Sequence, residues 1–135
     1  MAATPQEIFQ RYLHAGALTR DPAALAELFT EDGVYEAPLV PPGGVRPRRL
    51  VGRAQIREGM AASYAALPPD PRTVDPERSR VALHVTGDPD VFIVELDPVF
   101  DGPDGTSAMA LVQIFRCRDG KIALLRDYYS VEQAG

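Results

Sequence analysis

Leu111-Val112-Gln113-Ile114-Phe115-Arg116-Cys117, the turn Arg118-Asp119-Gly120, and Lys121-Ile122-Ala123-Leu124-Leu125-Arg126-Asp127-Tyr128-Tyr129-Ser130 are the stretch that decides the fold. Two β-rich runs flank an Asp-Gly pair, the turn chemistry that a tight antiparallel hairpin requires. Alternate residues of a strand point the same way. Between 107 and 117 the odd positions, with Met109, Leu111, Phe115 and Cys117, form a largely apolar face holding one amide, Gln113. The even positions include Val112 and Ile114 and end in Arg116 and Arg118. In the last run the odd set is Ala123, Leu125, Asp127 and Tyr129, and the even set is Ile122, Leu124, Arg126, Tyr128 and Ser130. Both faces therefore carry apolar side chains. One meets helices, and the other calls for a second copy of the chain, a homodimer through the outer face of the sheet.

Working outward, two more strand-like segments, near 78–86 and 91–100, precede that hairpin. Gly87-Asp88-Pro89-Asp90 and Asp101-Gly102-Pro103-Asp104-Gly105 separate them, so the whole reads as an antiparallel meander. Upstream, Thr4-Pro5-Gln6-Glu7 has the signature of a helix start, with a capping hydroxyl, a proline at the first helical position and a Glu three residues after the cap. Ile8, Phe9, Tyr12 and Leu13 follow at helical spacing. Asp21-Pro22 starts a short second helix carrying Leu25, Leu28 and Phe29, which stops at Thr30-Glu31-Asp32-Gly33. Val34 to Ala37 predicts a short strand ended by Pro38. A third helix runs from about Arg53 to Leu67, stopped by Pro68-Pro69. The order predicts an α+β fold: a cone-shaped barrel in which three N-terminal helices pack on a curved, mainly antiparallel sheet and enclose a cavity. Loops 38–51 and 68–80 are expected to close its mouth.

Length sets the scale. A chain of 135 residues is enough for one domain spanning 1–135. Its composition, 45% hydrophobic and 24% charged, is that of a globule in water. No run approaches the roughly 20 apolar residues of a membrane span. The opening Met1–Glu7 has no basic stretch leading into an apolar one, so neither membrane nor secretory leader is expected and the compartment predicted is the cytoplasm. Fourteen basic against nineteen acidic side chains give a net charge of −5, which argues against a general nucleic-acid binder. Cys117 is the single cysteine and cannot form an internal disulfide or a thiolate metal site. His14 and His84 are far apart in sequence and lack metal-ligand spacing, so no metal and no cofactor are expected.

Asp127 is the residue with chemical promise. Apolar and aromatic neighbours on its own face would strip its hydration, raise its pKa toward neutrality and suit it to proton transfer. The competing reading is a structural partner for a nearby arginine or a strand end that reaches water.

The stretch Ala24-Leu25-Ala26-Glu27-Leu28-Phe29-Thr30-Glu31-Asp32-Gly33-Val34-Tyr35 and the closing Arg118–Tyr129 segment resemble the nuclear transport factor 2 superfamily, in its ketosteroid-isomerase and SnoaL-like branches. The resemblance runs from about residue 6 to 131 and implies a deep apolar cavity between helices and sheet. The closing segment is most similar to limonene epoxide hydrolases, in which the Asp matching Asp127 activates water. What the resemblance implies is an isomerase, cyclase or dehydratase acting by general acid/base catalysis through Asp127 on a small hydrophobic, polyketide-like metabolite of secondary metabolism. A non-catalytic binding or dimerisation module and an epoxide hydrolase are the alternatives. Tyr12, Tyr35, Gln113, Leu125 and Tyr129 are the expected substrate contacts, Gln113 as a donor to a developing oxyanion.

The departures narrow this. Ketosteroid isomerases carry their proton-shuttling Asp on the first strand before a proline, where this chain has Ala37-Pro38. Epoxide hydrolases need an Arg and an Asp two apart on an earlier strand. The nearest match is Glu95-Leu96-Asp97, which lacks the Arg and faces outward if Phe92, Val94 and Leu96 face inward. Arg46, Arg48 and Arg49 form the basic cluster, on a loop expected near the cavity mouth, where it would attract a carboxylate, a phosphate or an acidic carrier protein.

Overall fold

Thr4 opens the first helix as predicted. In the computed structural model, which describes residues 3–130, its hydroxyl accepts the Glu7 backbone N–H at 3.2 Å and the Glu7 carboxylate accepts the Thr4 N–H at 3.2 Å. The ends of the expected domain, 1–2 and 131–135, lie outside the described residues. Helix α1 spans Pro5–Leu13 and loosens into a π-helical turn, His14–Leu18. Helix α2, Pro22–Glu27, is capped by Asp21, whose carboxylate accepts the Ala24 N–H at 3.0 Å. It ends earlier than its apolar spacing suggests. Phe29 belongs to strand β1, Phe29–Glu36, not to the helix. The Ile122 N–H bonds the Leu28 carbonyl at 2.8 Å and draws the chain into the sheet. Tertiary pairing overrides local propensity here.

After β1 come β2 (Arg49–Val51), α3 (Arg53–Ala66), β3 (Thr73–Val74), β4 (Arg80–Val85), β5 (Val91–Asp97), β6 (Val99–Gly102), β7 (Gly105–Ala108), β8 (Leu111–Arg118) and β9 (Lys121–Tyr128). The main sheet runs β2-β1-β9-β8-β5-β4 and is open, with β2 and β4 at its edges. All its pairs are antiparallel except β1 with β9. Two segments expected as single strands are divided. Pro98 separates β5 from β6, and Met109-Ala110 separate β7 from β8. Proline cannot donate to a ladder, so 99–108 leaves the main sheet as a hairpin that pairs with β3 in a small second sheet.

The β8–β9 hairpin turns on Asp119 and Gly120, both at positive φ (53° and 77°), as a two-residue Asp-Gly turn requires. Its register then shifts. Cys117 faces Ile122, but Arg116 faces Leu124, so Ala123 is an extra residue. This bulge corrects the simple alternation: Ile122, of the even set, and Leu125, of the odd set, are both fully buried. It also places Asp127 opposite Gln113. An unshifted ladder from the Arg118–Lys121 pair would set it against Val112, which faces out.

The helices cover the inner face, where Phe92, Val94, Phe115 and Leu125 meet Ile8, Phe9, Leu25 and Ile56 in one core. Phe115 stacks on Phe92 (4.6 Å between centroids, 6° between planes) and takes the edges of Tyr12 and Phe9 at 5.5 and 6.3 Å. Gly33 passes so close to Phe29, Thr30 and Ile122 that a Cβ would lie 3.0 Å from each, so a side chain there would push its neighbours aside. No helix among the described residues is long and apolar enough to cross a membrane.

Candidate active site

Four elements converge on one buried carboxylate. Asp127 near the end of β9 is 7% exposed. Tyr35 of β1 lies in register with Leu125, two residues earlier on the same face, and its hydroxyl donates to Asp127 Oδ2 at 2.9 Å. Gln113 of β8, directly across the ladder, donates through Nε2 to Asp127 Oδ1 at 3.3 Å. The Tyr129 phenol, just past the strand, lies close enough to Tyr35, Arg46 and Asp127 for all three to act on its titration.

No arginine pairs directly with Asp127 among the described residues, so the ion-pair reading does not hold there. Burial pushes its pKa up from 3.8 to about 6, and the bonds from Tyr35 and Gln113 pull only partly the other way. Burial and the nearby Asp127 charge hold the Tyr12 and Tyr35 hydroxyls well above the usual phenol range. Tyr129 is raised for the same reasons, with Arg46 opposing. These phenols stay protonated and serve as donors. The Gln113 Oε1 is buried without a partner, an orphan acceptor beside a carboxylate that titrates near neutrality.

Of the expected contacts, Tyr35, Gln113 and Tyr129 join the cluster. Tyr12 lies within its electrostatic reach. Leu125 is wholly enclosed in the core. Ala37, where a ketosteroid isomerase has its Asp, is also fully buried. Glu95 and Asp97 are exposed, and Glu95 bonds His84 Nε2 at 2.6 Å on the outer face, so neither serves this site.

The basic cluster splits. Arg49 faces outward toward Glu36 at 3.5 Å, while Arg46 turns in to Tyr129. Beside the cluster opens a cavity of about 400 Å³. Its walls come from residues 67–72 and the 102–107 hairpin, with Arg20 and Arg46. Asp127 is not in its wall; Arg46, which also acts on the Tyr129 phenol, is. Sequence reasoning missed Arg20 as a wall residue, and the signal was only its position before the Asp21 cap. The direct Tyr35–Asp127 bond was also missed, because it depends on the parallel β1–β9 register.

A family model described as a SnoaL-like domain matches residues 9–125. An uncharacterized PhzA/B-like protein of Pseudomonas aeruginosa is 34% identical over 112 residues, covering 82% of this chain and 73% of that protein. Among solved structures, a protein with a ketosteroid isomerase-like fold from Catenulispora acidiphila superposes with TM-score 0.65 at 24% identity, covering 97% of this chain and 90% of that one. The epoxide hydrolase/cyclase-like enzyme SalBIII, described in pyran ring formation in the polyether salinomycin, gives 0.60 at 21% identity, covering 95% and 92%. At those identities the two structures show a shared fold.

Proposed function

The chain belongs to the SnoaL-like domain family, and on that premise we propose a cofactor-independent enzyme that moves a proton with Asp127. The reaction would be an isomerisation, cyclisation or dehydration of a small hydrophobic, polyketide-like metabolite in the cytoplasm. The observation that carries this is a buried carboxylate held between the Tyr35 hydroxyl at 2.9 Å and the Gln113 amide at 3.3 Å, with burial pushing its pKa up to about 6. At pH 7 such a group is mostly ionised, yet it is a far stronger base than an exposed aspartate and can return the proton it takes.

The neighbours suit both states. The Gln113 amide donates to ionised Asp127 through Nε2 and, once rotated, offers its orphan Oε1 to a protonated carboxyl. Tyr12, whose hydroxyl is not engaged with the carboxylate, and Tyr129 supply phenol donors for an oxyanion formed when a carbon acid is deprotonated. Hydrolysis of an epoxide by the Arg–Asp device of the limonene enzymes has no support here, since Glu95 and Asp97 face outward.

The test uses a simple carbon acid, 2-tetralone. The protein is expected to accelerate exchange of its α-protons in D₂O, followed by NMR, and Asp127→Asn to lower that rate by about 10²-fold or more, the usual scale of a general base. An unchanged rate in the variant would remove Asp127 from the chemistry and leave the binding-module reading. Val34, Leu124, Ile114 and Ile93 line the outer face only half-buried, which supports a homodimer through that face. A monomer mass in sedimentation equilibrium would exclude it.

A further inference from the structure

Gln113 faces inward from β8, between Asp127 across the β9 ladder and Val94 across the β5 ladder. It is 6% exposed. One end of its amide is taken, since Nε2 donates to Asp127 Oδ1 at 3.3 Å. The other end, Oε1, is buried and has no hydrogen-bond partner among the described residues. Val94, the neighbour on the far side, is wholly buried and has no side-chain donor to give. A buried acceptor left without a donor is costly, and folded proteins keep few of them. The amide is not free to turn and relieve this. The Tyr35 hydroxyl holds Oδ2 of Asp127 at 2.9 Å, and an ionised carboxylate offers only acceptors. Turning Oε1 toward Oδ1 would set two acceptors against each other. The charge on Asp127 therefore fixes Nε2 toward the carboxylate and leaves Oε1 facing away from it.

We propose that Gln113 reads the ligand as an acceptor: Oε1 takes a hydrogen bond from a hydroxyl of the substrate, a carbonyl compound that carries this hydroxyl near its acidic carbon. Both ends belong to one amide, so a hydroxyl bound at Oε1 lies beside the carboxylate that takes the proton. This reverses the role expected from the sequence, a donor to an oxyanion, because the donor end is spent on Asp127. It rests on the proton-transfer reading for where the ligand lies. The choice between donor and acceptor depends only on the state of position 127. When that position carries a neutral donor, the amide turns over, gives it Oε1 and presents Nε2 to the ligand instead. Selectivity then swings from ligands that donate to ligands that accept. Of the groups around the carboxylate, Tyr12 on α1, Tyr35 on β1 and Tyr129 beyond β9 feel its charge and stay protonated near neutral pH. Arg46 acts on Tyr129 and stays charged. Asp127 is the group that changes, with its pKa of about 6.

The test compares 2-naphthol with 2-methoxynaphthalene, both neutral at the pH values used, by isothermal titration against the full chain, Asp127→Asn and Gln113→Met. At pH 7.5 the wild-type chain is expected to bind the naphthol about fivefold or more tightly than the ether, the scale of one hydrogen bond to a buried, otherwise unpaired acceptor. At pH 5, with Asp127 protonated, and in Asp127→Asn at either pH, the ratio should fall below one. A merely steric dislike of the methyl group would survive both changes. In Gln113→Met at pH 7.5 the preference should vanish; if it survives, the hydroxyl sits on Asp127 itself and the assignment falls. The Gln113 side-chain amide of the wild type, followed by NMR, should shift with the naphthol and not with the ether, which reads the contact without a variant. Equal affinity for the two probes at pH 7.5, no measurable binding of the naphthol, or an unmoved Gln113 amide overturns the assignment. A naphthol preference without exchange of 2-tetralone would sink the proton-transfer reading alone, and exchange without the preference would sink this one alone.

Discussion

Asp127→Asn is expected to be more stable than the wild-type protein at pH 7.5, by about 1–3 kcal/mol, while losing its proton-transfer activity. The carboxyl has a pKa of about 6 in the fold against 3.8 when exposed. One unit is worth about 1.4 kcal/mol, so keeping it ionised inside the protein costs about 3 kcal/mol above pH 6. The folded protein binds this proton more tightly than the unfolded chain, so this group's contribution is fully favourable below about pH 4 and is lost as the pH rises through 6. Asparagine removes the charge and keeps the shape. Its oxygen still accepts from Tyr35, and once the Gln113 amide turns over its own amide donates to the orphan Gln113 Oε1. Part of the gain is offset by losing a charge-assisted bond. Urea unfolding of both proteins at pH 7.5 and 4 checks this: the stability difference should be largest at the higher pH and small at the lower. An asparagine variant less stable at pH 7.5 would mean that the native site favours the charge.

Phe115→Ala should have the largest destabilising effect of any single truncation at the sheet–helix interface, about 3–5 kcal/mol. The ring is fully buried, stacked on Phe92 and met edge-on by Phe9 and Tyr12. Its removal opens a cavity between α1 and the sheet, two residues along β8 from Gln113, and forfeits the aromatic contacts. Against a total stability of about 5–15 kcal/mol for a domain of this size, the midpoint of urea unfolding should fall by about a fifth or more. Phe115→Leu fills most of the volume and should lose much less. A loss under about 1 kcal/mol for the alanine variant would show that the neighbouring rings collapse into the gap.

The elements whose signals are local were legible. The Thr4 and Asp21 caps, the Asp119-Gly120 turn and the inward set Phe92, Val94 and Leu96 of β5 all stand where their residue types place them. What escaped depends on partners distant in sequence. Phe29 has helical spacing yet joins β1, because Ile122 bonds the carbonyl before it. The bulge at Ala123 leaves no mark in the alternation of an apolar strand, although it sets which residue of β8 Asp127 faces. Pro98 was the visible clue that 91–100 is two strands, one in each sheet. Residue types put Asp127, Tyr35, Gln113 and Tyr129 forward as candidates, and the fold brings the four together. The order of the hydrogen bonds among them, and the approach of Arg46 to Tyr129, follow from the parallel β1–β9 register and from a loop without periodicity.

Burial, not a cation, raises the pKa of Asp127. A carboxyl-resolved NMR titration, with Asp127→Asn to assign the resonance, tests it directly. A single transition near pH 6 is expected. A midpoint at or below 4 would contradict it, and would mean that water or an arginine reaches the carboxylate in solution.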